Sequence, residues 1–488
     1  MLAALRSARA LGPLLVAALA AGAFWTARGA LIDDSYITLT YARNVALNGT
    51  WGLLSDVPSA TATSPLWVLL LAGVTALVRE PLWALGVLHV AVAAAGTAVL
   101  GALARRTGLP AWTAPAAAAA VLVNPLLLSA VGMESLLLVV LLAALALAGS
   151  ARRPVVFGVL AGAAFLTRMD AAASIAVLAL LSPGVLRRLH VAVPVALAVA
   201  ASWMTWSWFH LGTAVPDTFV IKGQQHSWGP WSVANGRAWF IELYGDDAVV
   251  AFAPLALVVP ALVVLAVLGR RLLPWLALTL AGLAHWGTLV LIVVPPYHWY
   301  YAPALASGSI GAVAAVAALA PRRAAHRRGS RAAALLGPAV VAAVVLAPAL
   351  VVDLGRALPW RVAPVQTNWA SSAAYDAMGE GLREELDGDR LLTFGEIGHL
   401  AYLCDCVVDG FADPALVEDG VREALDDAGS WMRPVLELNY RHRDFSQRPV
   451  PLVGHLAVLP PTERAPSPSW PLDLLPGGGT VHVVRDRT

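Results

Sequence analysis

Asp33 and Asp34 stand side by side just after the apolar N-terminal stretch from Met1 to Ala30. Two adjacent carboxylates repel each other, so the pair is costly unless something uses it. One of them can take a proton from an attacking hydroxyl, as a general base must. Together they can also hold a divalent cation that neutralises a phosphate leaving group. The plainer alternative is that both only solvate a helix end. Three cations are candidate partners for a phosphate, which favours charge-assisted donors: Arg43, Arg168 and Lys222, the chain's one lysine. Arg43 equally suits a snorkelling side chain, and Arg168 a structural pair with Asp170. Glu134 lies at a turn between apolar blocks, where an ionisable group is a functional candidate and a helix-start carboxylate is the alternative.

These residues need a frame, and composition supplies it. Of 488 residues 59% are hydrophobic and 13% charged, about half the charge fraction of a soluble domain. The apolar residues fall in blocks of about twenty, the length of a bilayer crossing. Blocks lie near 82–104, 110–131, 134–150, 154–169, 171–186, 190–210, 248–269, 272–294, 299–320 and 332–353. The N-terminal run reads as an uncleaved first helix, because it lacks a small-residue cleavage site. The stretch 64–78 is short and bracketed by Pro65 and Arg79, which suits a re-entrant or surface helix. Arginine pairs at 105–106, 152–153, 187–188 and 270–271 bound the blocks, and Pro321 to Arg331 holds five more arginines. With all of these cytoplasmic, the positive-inside trend gives about eleven crossings. The N-terminus is then inside and everything after Asp353 outside.

The expected fold is thus a polytopic α-helical membrane protein, 1–353, followed by a small extracytoplasmic α/β or α+β domain, 354–488. In the tail, Ser371 to Leu386 reads as an amphipathic helix. Arg390 to Thr393, Leu400 to Val408 and Thr480 to Val484 read as strands, and Ala465 to Gly479 as loop. On a strand, Cys404 and Cys406 would have Cα atoms about 7 Å apart, the upper limit for a bridge. The unusual polar residues gather in the outer connections 28–63, Gly132 to Ser135, Arg168 to Asp170, 211–247 and Pro295 to Tyr301. A net charge of +2 gives no field that would attract nucleic acid. Phosphate-binding glycine loops, HExxH and zinc-type Cys/His sets are absent from the sequence. That disfavours a nucleotide-sugar donor.

The segment Asp33-Asp34-Ser35-Tyr36 through Arg43-Asn44, then Asn48-Gly49 and Thr63-Ser64-Pro65-Leu66-Trp67, resembles the first outer loop of GT-C glycosyltransferases. More narrowly, it resembles the subgroup of the terminal β-(1→2)-arabinofuranosyltransferase of actinobacterial cell-wall arabinan. Gly132-Met133-Glu134-Ser135 matches a G-[ML]-E-[ST] turn of that subgroup. Leu166-Thr167-Arg168-Met169-Asp170 is similar to its L-T-R-P-D turn, with Met169 in place of Pro. Pro216-Asp217-Thr218-Phe219-Val220-Ile221-Lys222 is similar to P-N-T-x-x-x-K, with Asp217 in place of Asn. In the tail, Gly395-Glu396-Ile397-Gly398 and Asp409-Gly410-Phe411 are similar to a G-x-I-G…D-x-x-G pattern whose last Gly is not evident here. The order of these motifs covers about three quarters of the chain.

The resemblance implies transfer of a sugar from a polyprenyl-phosphate carrier in the plasma membrane to a glycan acceptor on the outer face. Asp33 or Asp34 would be the base, with decaprenyl-phosphoryl arabinose the favoured donor and a mannosyl or other glycosyl donor the alternative. Arg168, Lys222 and Arg43 would bind the donor phosphate, and Glu134, Asp170 and Asp217 the substrates. Whether a divalent cation at Asp33 and Asp34 is needed stays open. In the cluster Tyr297 to Tyr301, an interfacial aromatic belt explains Trp299, and His298 and Tyr301 are candidate substrate contacts. Trp203, Trp206 and Trp208 also suit the belt. A lipid-linked-sugar flippase would instead show inverted repeats and mid-membrane ionisable groups. A non-catalytic assembly protein would tolerate loss of Asp33 and Asp34.

Overall fold

In the computed structural model, which describes residues 2–219, 222, 228–320, 330–463 and 465–486, the apolar blocks are helices. In chain order they are α1 (Leu2–Ala27), α2 (Asp33–Leu47), α3 (Pro65–Val78), α4 (Pro81–Thr107), α5 (Thr113–Leu122), α6 (Pro125–Ser129), α7 (Ser135–Ser150), α8 (Pro154–Thr167), α9 (Ala172–Leu180), α10 (Pro183–Leu186) and α11 (Leu189–His210). Then come α12 (Gly236–Tyr244), α13 (Asp246–Val267), α14 (Leu273–Leu291), α15 (Ala302–Leu319), α16 (Ser330–Val341) and α17 (Ala347–Leu354). The tail carries α18 (Ser372–Leu386), α19 (Gly398–Cys404), α20 (Glu418–Asp426) and α21 (Arg433–Asn439). Proline opens many of the helices, where its missing N–H costs nothing.

The outward side chains are apolar: Leu77 is 84% exposed, Leu291 83% and Val267 78%. Such surface is stable only against lipid, so this is a membrane protein. Among the described residues, six helical stretches are long and apolar enough to cross a bilayer, including Pro81–Thr107, Leu189–His210 and His298–Leu319. Six shorter apolar helices accompany them. The expected figure of eleven crossings counts several of these shorter helices as spans, and helix length alone does not fix that number. The basic segment at 321–329 lies outside the described residues.

The chain divides into two compact units that interleave in sequence. The first comprises Met1–Arg28, Gly86–Ala200 and Trp228–Trp360. Its core is mainly alanine, leucine and valine, with α15 at the centre. Without a hydrophobic drive between helices in lipid, association depends on close backbone approach. Gly158 and Gly162, four apart on α8, provide it: a Cβ there would lie 2.5 Å from the Ala192 carbonyl oxygen and 2.7 Å from that of Ala196 on α11.

The second unit comprises Gly29–Leu85, Ala201–Ser227 and Arg361–Thr488. It joins α2 and α3 to a five-stranded mixed sheet of order β2-β1-β3-β5-β4. The strands are β1 (Leu391–Leu392), β2 (Val407–Val408), β3 (Gly454–Leu459), β4 (Ser469–Pro471) and β5 (Thr480–Arg485). β1 pairs parallel with β2 and β3, and β5 pairs antiparallel with β3 and β4. α18 buries Tyr375, Met378, Leu382 and Leu386 at helical spacing, and its start is capped by the Ser371 hydroxyl.

Three sequence expectations fail here, the first being that Ala465 to Gly479 is all loop, since β4 occupies Ser469–Pro471. Residues 28–63 are not merely a connection, since α2 occupies Asp33–Leu47. Leu400 to Val408 is not one strand: α19 runs to Cys404, Asp405 turns the chain in the left-handed region at φ 54°, and β2 follows. A short apolar run carries no period that separates helix from strand. That turn brings the Cys404 and Cys406 Cα atoms to 5.0 Å, and the two are disulfide-bonded.

Candidate active site

α2 begins at the acid pair, and its first amide is fixed from outside. Asn368 Oδ1 accepts the Asp33 N–H at 3.0 Å, while Asn368 Nδ2 donates to the Leu31 carbonyl at 3.1 Å. The Asp33 carboxylate points at the start of α19. Its Oδ2 accepts the amides of Ile397 at 3.1 Å and Gly398 at 2.8 Å, and its Oδ1 accepts that of His399 at 2.7 Å. These are donors that α19 itself leaves unpaired, because its N-cap residue Ile397 has no capping side chain. Burial raises the Asp33 carboxyl, and the three amides and His399 pull it back down. Asp34, one residue on, stays partly exposed.

The G-x-I-G pattern has a geometric cause. Gly395 holds φ +125°, a region that disfavours any side chain. A Cβ on Gly398 would lie 2.0 Å from the Asp33 carbonyl oxygen. Between them, Glu396 accepts the Trp369 amide at 2.9 Å. Burial, and then the charges of Asp33 and Asp34, push the Glu396 carboxyl well above its usual range. Asp409 accepts the Phe411 and Ala412 amides and is pushed up to about 7, chiefly by burial. His399 stacks on Tyr36 at 3.9 Å and reaches Asp376 at 3.2 Å. Glu396, Asp409, His399 and Asp376 were not singled out as site residues in the sequence. The G-x-I-G and Asp409-Gly410-Phe411 patterns were the available signal for the first two.

Arg43 lies at the other end of α19. It donates to the Tyr402 carbonyl at 2.6 Å, and its guanidinium sits 5.2 Å above the Tyr402 ring centroid. That engagement places it in a capping position at the end of α19. Asp217 is fully buried and pairs with Arg443 at 2.7 Å. Its amide donates to Ala60 O, and Thr218 Oγ1 donates to Thr61 O. The motif thus seats its own loop, and Asp217 touches no solvent through which a substrate would reach it. Lys222 is helical and half-buried, and Val220 and Ile221 of the same motif lie outside the described residues.

The remaining expected residues belong to the first unit. Arg168 Nε donates to Asp170 Oδ1 at 2.9 Å, its Nη2 to Asp170 Oδ2, and its Nη1 to Glu134 Oε1 at 2.7 Å. The guanidinium also lies 5.0 Å over Tyr300, and His285 Nε2 is 3.1 Å from Asp170 Oδ1. A guanidinium held by two carboxylates is compensated, so a phosphate there would compete with both. His285 escaped the sequence reading, although an ionisable side chain inside an apolar helix is itself a signal. His298 and Tyr301 are enclosed. Tyr301 Oη donates to Val233 O at 2.9 Å, and both rings pack edge-on against Phe240. Neither opens to a substrate.

No set of three or more His, Cys, Asp or Glu side chains among the described residues is arranged to hold a metal ion. The Asp33 oxygens face the positive ends of three amide dipoles, which favour its carboxylate form.

This geometry sits within a known architecture. Comparison with solved structures finds ArnT from Cupriavidus metallidurans in the apo state at TM-score 0.55 and 16% identity, covering 92% of this chain and 92% of that one. ArnT bound to undecaprenyl phosphate aligns at 0.54 with 18% identity, covering 80% and 84%. The oligosaccharyltransferase AglB from Archaeoglobus fulgidus, in complex with an inhibitory peptide and a dolichol-phosphate, aligns at 0.50 with 13% identity, covering 92% and 69%. This chain has their fold. It carries a small sheet domain at the C-terminus. No protein-family model and no curated protein matches the chain.

Proposed function

We propose that this protein is a membrane glycosyltransferase that moves a sugar from a polyprenyl-phosphate carrier to a cell-envelope glycan on the outer face of the plasma membrane. The observation that carries the reading is the unequal setting of two adjacent carboxylates. Asp33 is buried and held by three amides, whereas Asp34 is partly exposed at the start of the same helix. Asp34 is then the base. It takes the proton of the acceptor hydroxyl as that oxygen bonds to the anomeric carbon. The bond from that carbon to the phosphate oxygen breaks, and the polyprenyl phosphate leaves with the electron pair. Lys222 offers the leaving phosphate a cation.

Undecaprenyl phosphate on ArnT and dolichol-phosphate on AglB support a lipid-phosphate donor. The motif order favours decaprenyl-phosphoryl arabinose over a mannosyl or other donor. The Cys404–Cys406 bridge supports an oxidising, extracytoplasmic setting for the second unit. The test is incubation of the purified protein with radiolabelled polyprenyl-phosphate sugars and an arabinan acceptor, with and without chelator. Transfer from the arabinose donor supports the proposal, and the chelator arm reports whether a cation takes part. Sugar translocation without transfer to the acceptor would replace it with a flippase.

A further inference from the structure

The tail carries an apolar surface that its own core leaves uncovered. Trp431 is 74% exposed, Val435 56% and Leu438 55%. Along α21 and the turn that leads into it, these residues fall at i, i+4 and i+7, so they share one face. Arg433 and Glu437 occupy the opposite face and pair with each other at 3.0 Å. A helix with an apolar stripe bearing tryptophan and leucine, and a charged face behind it, has the make-up of an interfacial segment.

What covers the stripe is indicated by its neighbour. Trp208 Nε1 donates to the Leu438 carbonyl at 2.9 Å. Trp208 and Phe209 both contact the His442 ring, at centroid distances of 4.6 and 4.8 Å. Both aromatic residues belong to the last turn of α11, one of the helices apolar and long enough to cross the bilayer. With 22 residues α11 is about 33 Å long at 1.5 Å per residue, enough for a hydrocarbon core of about 30 Å. Its end therefore lies at headgroup depth, where Phe209 is itself 58% exposed. The stripe on α21 is thus seated beside the end of α11.

We infer that α21 is a membrane-interface anchor: Trp431, Val435 and Leu438 insert into the headgroup region of the leaflet next to the end of α11. The occupant of this surface is lipid, and the inference holds whatever reaction the protein catalyses. Anchoring of this kind tethers the sheet-bearing tail to the surface at which a lipid-linked substrate would arrive.

The test uses the full chain in phosphatidylcholine–phosphatidylglycerol nanodiscs. Its native cysteines are bridged to each other, so an introduced thiol is the free one. Val435→Cys, Leu438→Cys and, on the charged face, Glu437→Cys each receive a nitroxide. Relaxation by oxygen, which partitions into lipid, is compared with relaxation by a water-soluble nickel chelate. Positions 435 and 438 should respond more to oxygen than to nickel, and position 437 the reverse. Strong nickel accessibility at all three would overturn the inference, since the stripe would face water. Protection of 435 and 438 from both agents would overturn it too, by showing a protein partner or second copy in place of lipid.

Discussion

Asp33 and Arg43, ten residues apart on α2, hold opposite ends of α19. The carboxylate accepts the first amides of that helix, and the guanidinium donates to the Tyr402 carbonyl near its last turn. The signs match the helix dipole, with the anion at the amino end and the cation at the carboxyl end. Two residues of one motif thus lock α2 to α19 in the tail.

Asp33→Asn should lower the melting temperature by more than Asp34→Asn does. An amide nitrogen cannot accept, so at least one bond to the α19 amides is lost, and each charge-assisted bond contributes about 1.5–3 kcal/mol. Thermal denaturation of the three proteins in detergent measures the difference. Equal melting temperatures would contradict the clamp.

Gly398→Ala should be among the most disruptive single-methyl changes. The added carbon would lie 2.0 Å from the Asp33 carbonyl, and what must move is backbone. Loss of stability together with loss of transfer is expected. Gly388→Ala is a control for strain alone, because its φ is +99° but its side-chain space is empty. It should cost about 1 kcal/mol or somewhat more.

Asp409 sets a pH dependence. Its pKa is raised from the ordinary 3.8 to about 7, so the folded state holds a proton that the unfolded chain releases earlier. The neutral group's contribution to stability is whole below pH 3.8 and is lost as pH climbs towards about 7. Asp409→Asn keeps the oxygen that accepts from Phe411 and Ala412 and removes the titration. Melting curves of this variant should fall less steeply across that window than those of the unaltered protein.

Asp217 and Arg443 are enclosed and paired. Removing either partner alone, as in Asp217→Leu or Arg443→Met, strands a buried charge at a cost of about 3–5 kcal/mol. The double variant should recover much of that loss. Chemical denaturation of the two singles and the double closes the cycle, and additive losses would contradict the pairing.

How much of this was legible in the sequence differs from place to place. The apolar blocks announced the spans, since lipid admits few other solutions for a backbone. The acid pair announced a site, because its cost is visible without a structure. The buried setting of Asp33 was not legible, because it depends on α19, more than 360 residues further along the chain. The Arg168–Asp170 pair was legible in its motif, but the Glu134 partner of Arg168 and the Arg443 partner of Asp217 lie at sequence distances that no local pattern encodes. The helix α2 was missed because its buried polar residues, among them Ser35, Thr40 and Asn44, follow no apolar period.

The most direct measurement is single-turnover transfer from a radiolabelled polyprenyl-phosphate sugar by Asp34→Asn, alongside its melting temperature. The expected result is loss of transfer by about 10²–10⁴-fold, the contribution of a general base, with an unchanged melting temperature. Transfer at the unaltered rate by a folded Asp34→Asn protein would contradict the assignment of the base.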